Sequence, residues 1–226
     1  MPLHGRSMEM ESAPDAAASG LARTCPHCRL FAWMRGALTD SEAPRIAAVL
    51  EHQRPVVRNE FVHRAAAPFD CLEVLHSGFA KTSVGDPSGR EQVTGFFMGG
   101  ELLGMDGIGS GRYHGTAIAL EDSEVCEIPF NDLEKLSRDI PTLQQHVHRI
   151  MSREIARDYG VMLLLGSMRA EERLAAFLLN LSQRFAARGY SSTRFHLRMT
   201  REEIGSYLGL KLETISRTFS HFQSDQ

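Results

Sequence analysis

Two groups of residues in this chain of 226 could do chemistry. The first is Cys25-Pro26-His27-Cys28. Thiols at this spacing can close a disulfide or share a metal ion. Cys71 and Cys126 bring the cysteine count to four. Four cysteines over this length do not make a secreted disulfide scaffold, so redox or metal chemistry in the cytoplasm is the expectation. The second group is Glu213, Thr214, Ser216 and Arg217. Arginine donates two hydrogen bonds to guanine O6 and N7, and glutamate accepts from cytosine N4. Such side chains on one helical face can read base edges, although a merely solvated polar face looks the same in a sequence.

The elements that must hold this second group are legible around it. Thr200-Arg201-Glu202-Glu203 is a capping box that opens a helix. That helix carries Ile204, Tyr207 and Leu208 inward and breaks at Gly209. A second short helix, 212 to 222, places Ile215, Phe219 and Phe222 on one face. Two short helices around a glycine turn make a helix-turn-helix, whose second helix meets DNA through its N-terminal residues. Further upstream, a helix from about 170 to 185 has the stripe Leu174, Phe177, Leu178 and Leu181, with Gly189 as its stop. Phe195-His196-Leu197-Arg198 reads as a short strand.

Pro141 suits a first helical turn. Behind it, Met151, Ile155, Asp158, Met162 and Leu165 follow 4-3-4-3 spacing, the seam of a coiled coil. In a two-fold dimer Asp158 would face its own copy, and two close buried carboxylates repel. The alternative is a helix turned slightly, with Asp158 in water.

Residues 55 to 130 are strand-like, with β-prone runs at Val56-Val57, Leu72 to Leu75, Gln92 to Phe97 and Thr116 to Leu120. Eleven of the nineteen glycines fall between Gly78 and Gly115, which implies frequent turns, as in a small barrel or roll. No run fits a phosphate-binding loop. The first 24 residues, rich in Ala, Ser, Met and Gly, read as a disordered head rather than a signal peptide. No apolar run approaches the roughly 20 residues needed to span a bilayer, so no membrane partner is expected. Charge is uneven. From Met168 onward nine Lys and Arg face six Asp and Glu, a balance of +3 that leaves −6 for the rest of a chain of net −3. An acidic front and a basic tail suit a sensor joined to a nucleic-acid reader.

Residues 200 to 223, Thr-Arg-Glu-Glu-Ile-Gly-Ser-Tyr-Leu-Gly-Leu-Lys-Leu-Glu-Thr-Ile-Ser-Arg-Thr-Phe-Ser-His-Phe-Gln, closely resemble the reading head of the Crp/Fnr family of transcription regulators, in its anaerobic Fnr branch. The resemblance extends over Glu171 to Phe177, Val125 to Phe130 and the block from Gly107 to Gly111, and covers roughly residues 55 to 223. It implies an α+β fold: an N-terminal cyclic-nucleotide-binding-like β-roll, a long dimerisation helix and a C-terminal helix-turn-helix. The implied division is a head (1–24), a β-roll sensory domain with the cysteine segment (25–140), a dimerisation helix (141–167) and a DNA-binding domain (168–226). The chain stops three residues after Gln223, where relatives continue into a β wing, so a truncated winged helix is expected.

The resemblance also assigns partners and roles. Glu213, Ser216 and Arg217 match the family's base-reading residues. Targets resemble TTGAT half-sites arranged as a palindrome. Partners are double-stranded DNA, a second copy of the chain and RNA polymerase. Asp158 matches an aspartate of the family's dimerisation helix that holds the monomer–dimer balance. Lys211 departs from the pattern, because relatives place a Ser or Thr helix cap there. A lysine cannot accept helix amides, which leaves a small stability loss or a contact with a DNA phosphate.

The resemblance bears on the signal as well. The cyclic-AMP branch of the family needs a Glu for the ribose and an Arg-Ser for the phosphate; the matching positions are Met105 and Gly115-Thr116. No cation is expected there, and cyclic AMP is not the expected effector. In the Fnr branch, cysteines hold an oxygen-labile [4Fe-4S] cluster. Cys25, Cys28 and Cys126 match three ligands, while the fourth position is Met34 and Cys71 is an extra cysteine. Three readings stay open: a cluster with an unusual fourth ligand, a thiol–disulfide switch, and a degenerate sensor with buried apolar cysteines. A different class of function also stands beside these: a dithiol oxidoreductase using Cys25-Pro26-His27-Cys28, for which the expected βαβ context is missing.

The cluster reading predicts that protein purified without oxygen is brown, bleaches in air and loses its colour in Cys126→Ala. An absorption spectrum before and after air decides. Colourless anoxic protein that takes up no iron on reconstitution overturns the cluster, and a Cys25–Cys28 disulfide in air then favours the thiol switch.

Overall fold

The computed structural model describes residues 38–50, 52–85 and 89–224. The expected head, together with Cys25, Cys28 and Met34, lies outside the described residues. A helix, α1 (Glu42–Val49), leads into eight strands: β1 (His52–Val56), β2 (Phe61–His63), β3 (Cys71–Ser77), β4 (Phe79–Gly85), β5 (Glu91–Met98), β6 (Glu101–Leu103), β7 (Thr116–Ala119) and β8 (Ser123–Pro129). Five helices follow: α2 (Phe130–Asp139), α3 (Pro141–Ser167), α4 (Ala170–Ala186), α5 (Arg201–Leu208) and α6 (Leu212–Ser224). The four runs read from the sequence fall on β1, β3, β5 and β7. Strands β2, β4, β6 and β8 and helices α1 and α2 complete the set.

The strands form two antiparallel four-stranded sheets, ordered β1-β8-β3-β6 and β2-β7-β4-β5. Alternation of side chains sorts three cores. Leu72 and Val74 of β3 and Cys126 and Ile128 of β8 face outward from the first sheet, under Ile46 and Leu50 of α1 and Leu133 and Leu136 of α2. Leu75, Ala80, Leu103, Ala117 and Val125 fill the interior of the roll. Phe79, Phe96 and Met98 on the outer face of the second sheet meet Leu174, Phe177 and Leu181 of α4, Ile204 and Leu208 of α5 and Ile215 of α6.

The roll interior also holds a carboxylate. Glu73 is 2% exposed. Buried charge demands partners. Glu73 contacts His63 Nδ1, and Arg54 Nη2 lies 3.8 Å away. The Tyr113 ring stacks on His63 at 4.0 Å, and its hydroxyl donates to the Cys71 carbonyl at 2.7 Å. Nothing in the hydrophobic pattern of these strands foretells this cluster.

Phe195–Arg198 is not a strand. The segment has no ladder partner among the described residues, and extended backbone becomes a strand only by pairing. It is held instead by Phe195 stacking on Phe185 and by an ion pair between Arg198 and Glu121 at 2.8 Å.

A second, half-buried carboxylate ties the helices to the roll. Glu101 of β6 receives Arg184 at 2.5 Å and Arg188 at 2.6 Å, both from the end of α4 and the turn after it. Arg184 also donates to the Phe96 carbonyl at 2.7 Å. Burial alone would raise the Glu101 carboxyl, but the two guanidinium groups outweigh it and hold the group below the ordinary carboxylate range. A depressed carboxyl contributes stability above its unfolded pKa of about 4.3 and loses it as pH falls through the folded value. Glu101→Gln should therefore cost about 3 kcal/mol at pH 7 by stranding two guanidiniums. The gap to wild type should narrow between roughly pH 5 and pH 3. Thermal melts across that range check it; a constant gap would mean that the carboxylate charge is not the stabilising feature.

Candidate nucleic-acid interface

Helix α5 begins where its sequence says it should. Thr200 Oγ1 accepts the Glu203 amide at 3.1 Å, and the Glu203 carboxylate accepts the Thr200 amide at 2.7 Å. Burial would raise the Glu203 carboxyl, yet the Thr200 amide and the Lys81 ammonium hold it low. Gly209 ends α5 in the left-handed region at φ +62°. A second glycine, Gly205, lets α5 approach the turn. A Cβ there would meet the Leu210 carbonyl oxygen at 2.6 Å, too close for any side chain. The signal was available, since a glycine inside a helical pattern marks close backbone approach.

The turn sets α6 with Ile215 fully buried and Phe219 and Phe222 half-buried. Its N-terminal side chains are thereby turned outward. Glu213 and Arg217 are exposed, and Thr214 and Ser216 half-buried. The Thr214 carbonyl takes the Thr218 hydroxyl at 2.9 Å. Lys211 stands just before the helix, exposed, with its carbonyl accepting the Ile215 amide at 3.1 Å and its ammonium free to reach outward. Arg201, over the Phe219 ring at 5.5 Å, adds a further cation beside the head. Side chains of both donor and acceptor type thus project from one exposed helix start, the arrangement needed in a major groove.

The seam residues lie on α3 as the spacing requires. Met151 (37%), Ile155 (51%) and Met162 (67%) are exposed, as is Asp158, while Leu165 is half-buried. The exposed part of this stripe is apolar except at Asp158. Asp158 also borders a cleft of about 440 Å³ between α3 and the roll. The expectation that this cleft holds no cation needs correction. Arg157, from α3, lines it together with His63 and His114. Reading only the strand positions missed a cation delivered by the helix. That guanidinium is already engaged by Glu154 at 3.1 Å and lies over the Phe97 ring at 4.5 Å. Burial pushes the Glu154 carboxyl up, and Arg157 opposes the shift. Met105, Asp106 and Gly115 form part of the opposite wall.

Cys126 is 1% exposed on β8. Cys71 is half-buried, its thiol 3.6 Å from the Tyr113 hydroxyl and pushed up by burial. Cys126 pairs across the sheet with Val74, which shares its outward face, whereas Cys71 points into the roll. Cys71 therefore cannot join Cys126 in one ligand set. Among the described residues no cluster of three His, Cys, Asp or Glu could hold a metal ion.

Comparison with known proteins places both halves of the chain. Residues 53–139 match the cyclic nucleotide-binding domain and residues 172–226 the Crp-like helix-turn-helix domain. The transcriptional regulatory protein btr of Bordetella pertussis is 44% identical over 211 residues, 93% of this chain and 85% of btr. The fumarate and nitrate reduction regulatory protein of Escherichia coli K12 is 45% identical over 186 residues, 82% of this chain and 74% of its own. Among solved structures, FixK2 from Bradyrhizobium japonicum superposes with a TM-score of 0.69 at 28% identity, over 77% of this chain and 85% of FixK2.

The exposed Arg217 guanidinium generates a direct test. Arg217→Ala should lose about 1–3 kcal/mol on a TTGAT palindrome and blur discrimination at one base pair. Gel shifts on specific and random DNA measure it. Equal losses on both would assign Arg217 to phosphate contact instead.

Proposed function

The chain belongs to the Crp/Fnr family of transcription regulators, and from that membership we propose that it binds TTGAT-type palindromes as a homodimer whose DNA affinity follows redox state. The observation that carries this reading is the pairing of two open surfaces: the start of α6, with Glu213, Thr214, Ser216, Arg217 and Lys211, and the apolar stripe of α3. A palindrome needs two reading heads at once, so dimerisation along α3 sets DNA affinity. The relatives are regulators rather than enzymes, and the Cys25–Cys28 pair acts here as a sensor element, not as an oxidoreductase centre. No helix among the described residues is long and apolar enough to cross a membrane. The protein works in the cytoplasm, with RNA polymerase as its further partner.

Cyclic AMP is not the effector. Met105 and Gly115-Thr116 offer neither a ribose acceptor nor a phosphate cation, and Arg157 is committed to Glu154. Glu154, Asp106 and Asp158 line the same cleft and repel a phosphate. The redox signal enters through Cys25, Cys28 and Cys126. This chain does not supply the four thiolates of an ordinary [4Fe-4S] site, since Met34 stands at the fourth position and Cys71 faces the roll interior. Of these three thiols, Cys126 lies beneath α1 in the core, and Cys25 and Cys28 lie outside the described residues.

Asp158 is the tipping residue of the seam. Two copies brought together put two carboxylates into one apolar interface, which opposes association. Asp158→Ala should therefore be a dimer that binds the palindrome in air without any effector. Sedimentation of the air-exposed variant tests it. A variant that stays monomeric where anoxic wild type dimerises overturns the seam.

A further inference from the structure

We propose that Arg173 is a positioning residue that fixes the angle between the dimerisation helix and the reading head, and so sets the half-site spacing the dimer accepts. The inference rests on the dimeric DNA-binding reading above. Helices α3 and α4 are joined by only Met168 and Arg169, both extended, with ψ of 146° and 165°. A two-residue extended link is a swivel unless something spans it. Arg173, in the first turn of α4, spans it. Its Nη2 donates to the Leu165 carbonyl at 2.7 Å, its Nε to the Met168 carbonyl at 2.9 Å and its Nη1 to the Leu208 carbonyl at 3.0 Å. Leu165 belongs to the last turn of α3 and is itself a seam residue; Leu208 is the last residue of α5.

The chemistry suits the place. Carbonyls in a last helical turn run out of amide partners and carry the negative end of the helix dipole. One planar guanidinium with donors fanned in fixed directions can satisfy carbonyls from three segments at once. The backbone closes around it: a Cβ added to Gly209 would lie 3.6 Å from Arg173 Nη1 and 3.7 Å from Leu165 Cδ2. The ion pairs of Arg184 and Arg188 with Glu101 and of Lys81 with Glu203 lead to the chain's own roll. Arg173 bonds the backbone of the seam helix directly to the backbone of the first reading helix.

Spacing is the quantity such a joint controls. Adding one base pair between half-sites moves one head's target by roughly 3.4 Å and turns it by roughly 34°. A stiff joint cannot follow, and the second head then contributes nothing. The test uses the full chain, purified without oxygen, on palindromes whose spacers differ by one and two base pairs, with a single half-site as control. Wild type should prefer its own spacing by about 100-fold, and Arg173→Met, which keeps the apolar stem, should compress that preference to about tenfold or less while single half-site binding and sedimentation as a dimer stay unchanged. Arg173→Lys should behave like the Met variant, because an ammonium donates from one point and cannot bridge three carbonyls; it also carries the test if the Met variant fails to fold. Spacing discrimination retained at wild-type strength in a folded variant overturns the proposal. Wild type that binds palindrome and single half-site equally overturns the dimeric reading instead, and the two failures are therefore distinct.

Discussion

The reading head has no core of its own. Helices α5 and α6 run to 8 and 13 residues, and neither length is stable as an isolated helix in water. Their apolar faces become useful only by sharing a core with α4 and with the outer face of the second sheet, where Phe96, Phe177 and Tyr207 meet ring against ring. Everything else in the molecule follows from that shared core. The sheet must present large side chains on both faces, so β5 reads as a nearly continuous buried run from Gly95 to Met98. The head must in turn be held at one orientation, because the core that stabilises it also positions it.

Polar ties supply the orientation that apolar packing lacks. Hydrophobic contact is non-directional. Glu101 between Arg184 and Arg188, Glu203 with Lys81, and Ser206 Oγ accepting the Val93 amide at 2.9 Å pin α4 and α5 to the roll at defined points. The same logic operates inside the roll, where Glu73 meets His63 and Arg54 among apolar neighbours. Removing one member strands the others at a cost, whereas the intact set adds little over a well-packed apolar replacement. These groups select one arrangement among several that would bury similar area.

Between the roll and the helix-turn-helix stands α3, 27 residues and about 40 Å long. Its first turns are buried on the first sheet through Leu143 and His146, its middle borders the cleft through Glu154 and Arg157, and its end meets the reading head through Leu165. One continuous helix therefore touches each region of the molecule while leaving Met151, Ile155 and Met162 exposed. A change near α1, which packs on the same core as Leu143, has a continuous path of packed side chains toward the seam.

The sequence by itself determined whatever is local. The Thr200–Glu203 capping box, the Gly209 break, the stripe of Leu174, Phe177 and Leu181, and the helix begun at Pro141 all depend on neighbours within a turn or two, and each stands where the pattern put it. The specificity of residues 200 to 223 made the family legible for the same reason: a short motif carries its own geometry. Tertiary structure decided what depends on distant partners. Phe195–Arg198 has strand-forming residues but no partner strand among the described residues, so propensity alone misassigned it. Arg157 reached the roll cleft from a helix some forty residues away in sequence from the nearest wall, beyond any local window. Glu73 and Glu101 look like ordinary surface residues on short strands until the fold brings arginines and a histidine to them. Arg173 reads as one more charge on an amphipathic helix; only the closure of α3, α4 and α5 around it gives its five donors three carbonyls to hold. Periodicity encodes which face is buried, but the identity of the group across the gap is set by chain topology, which no local spacing contains.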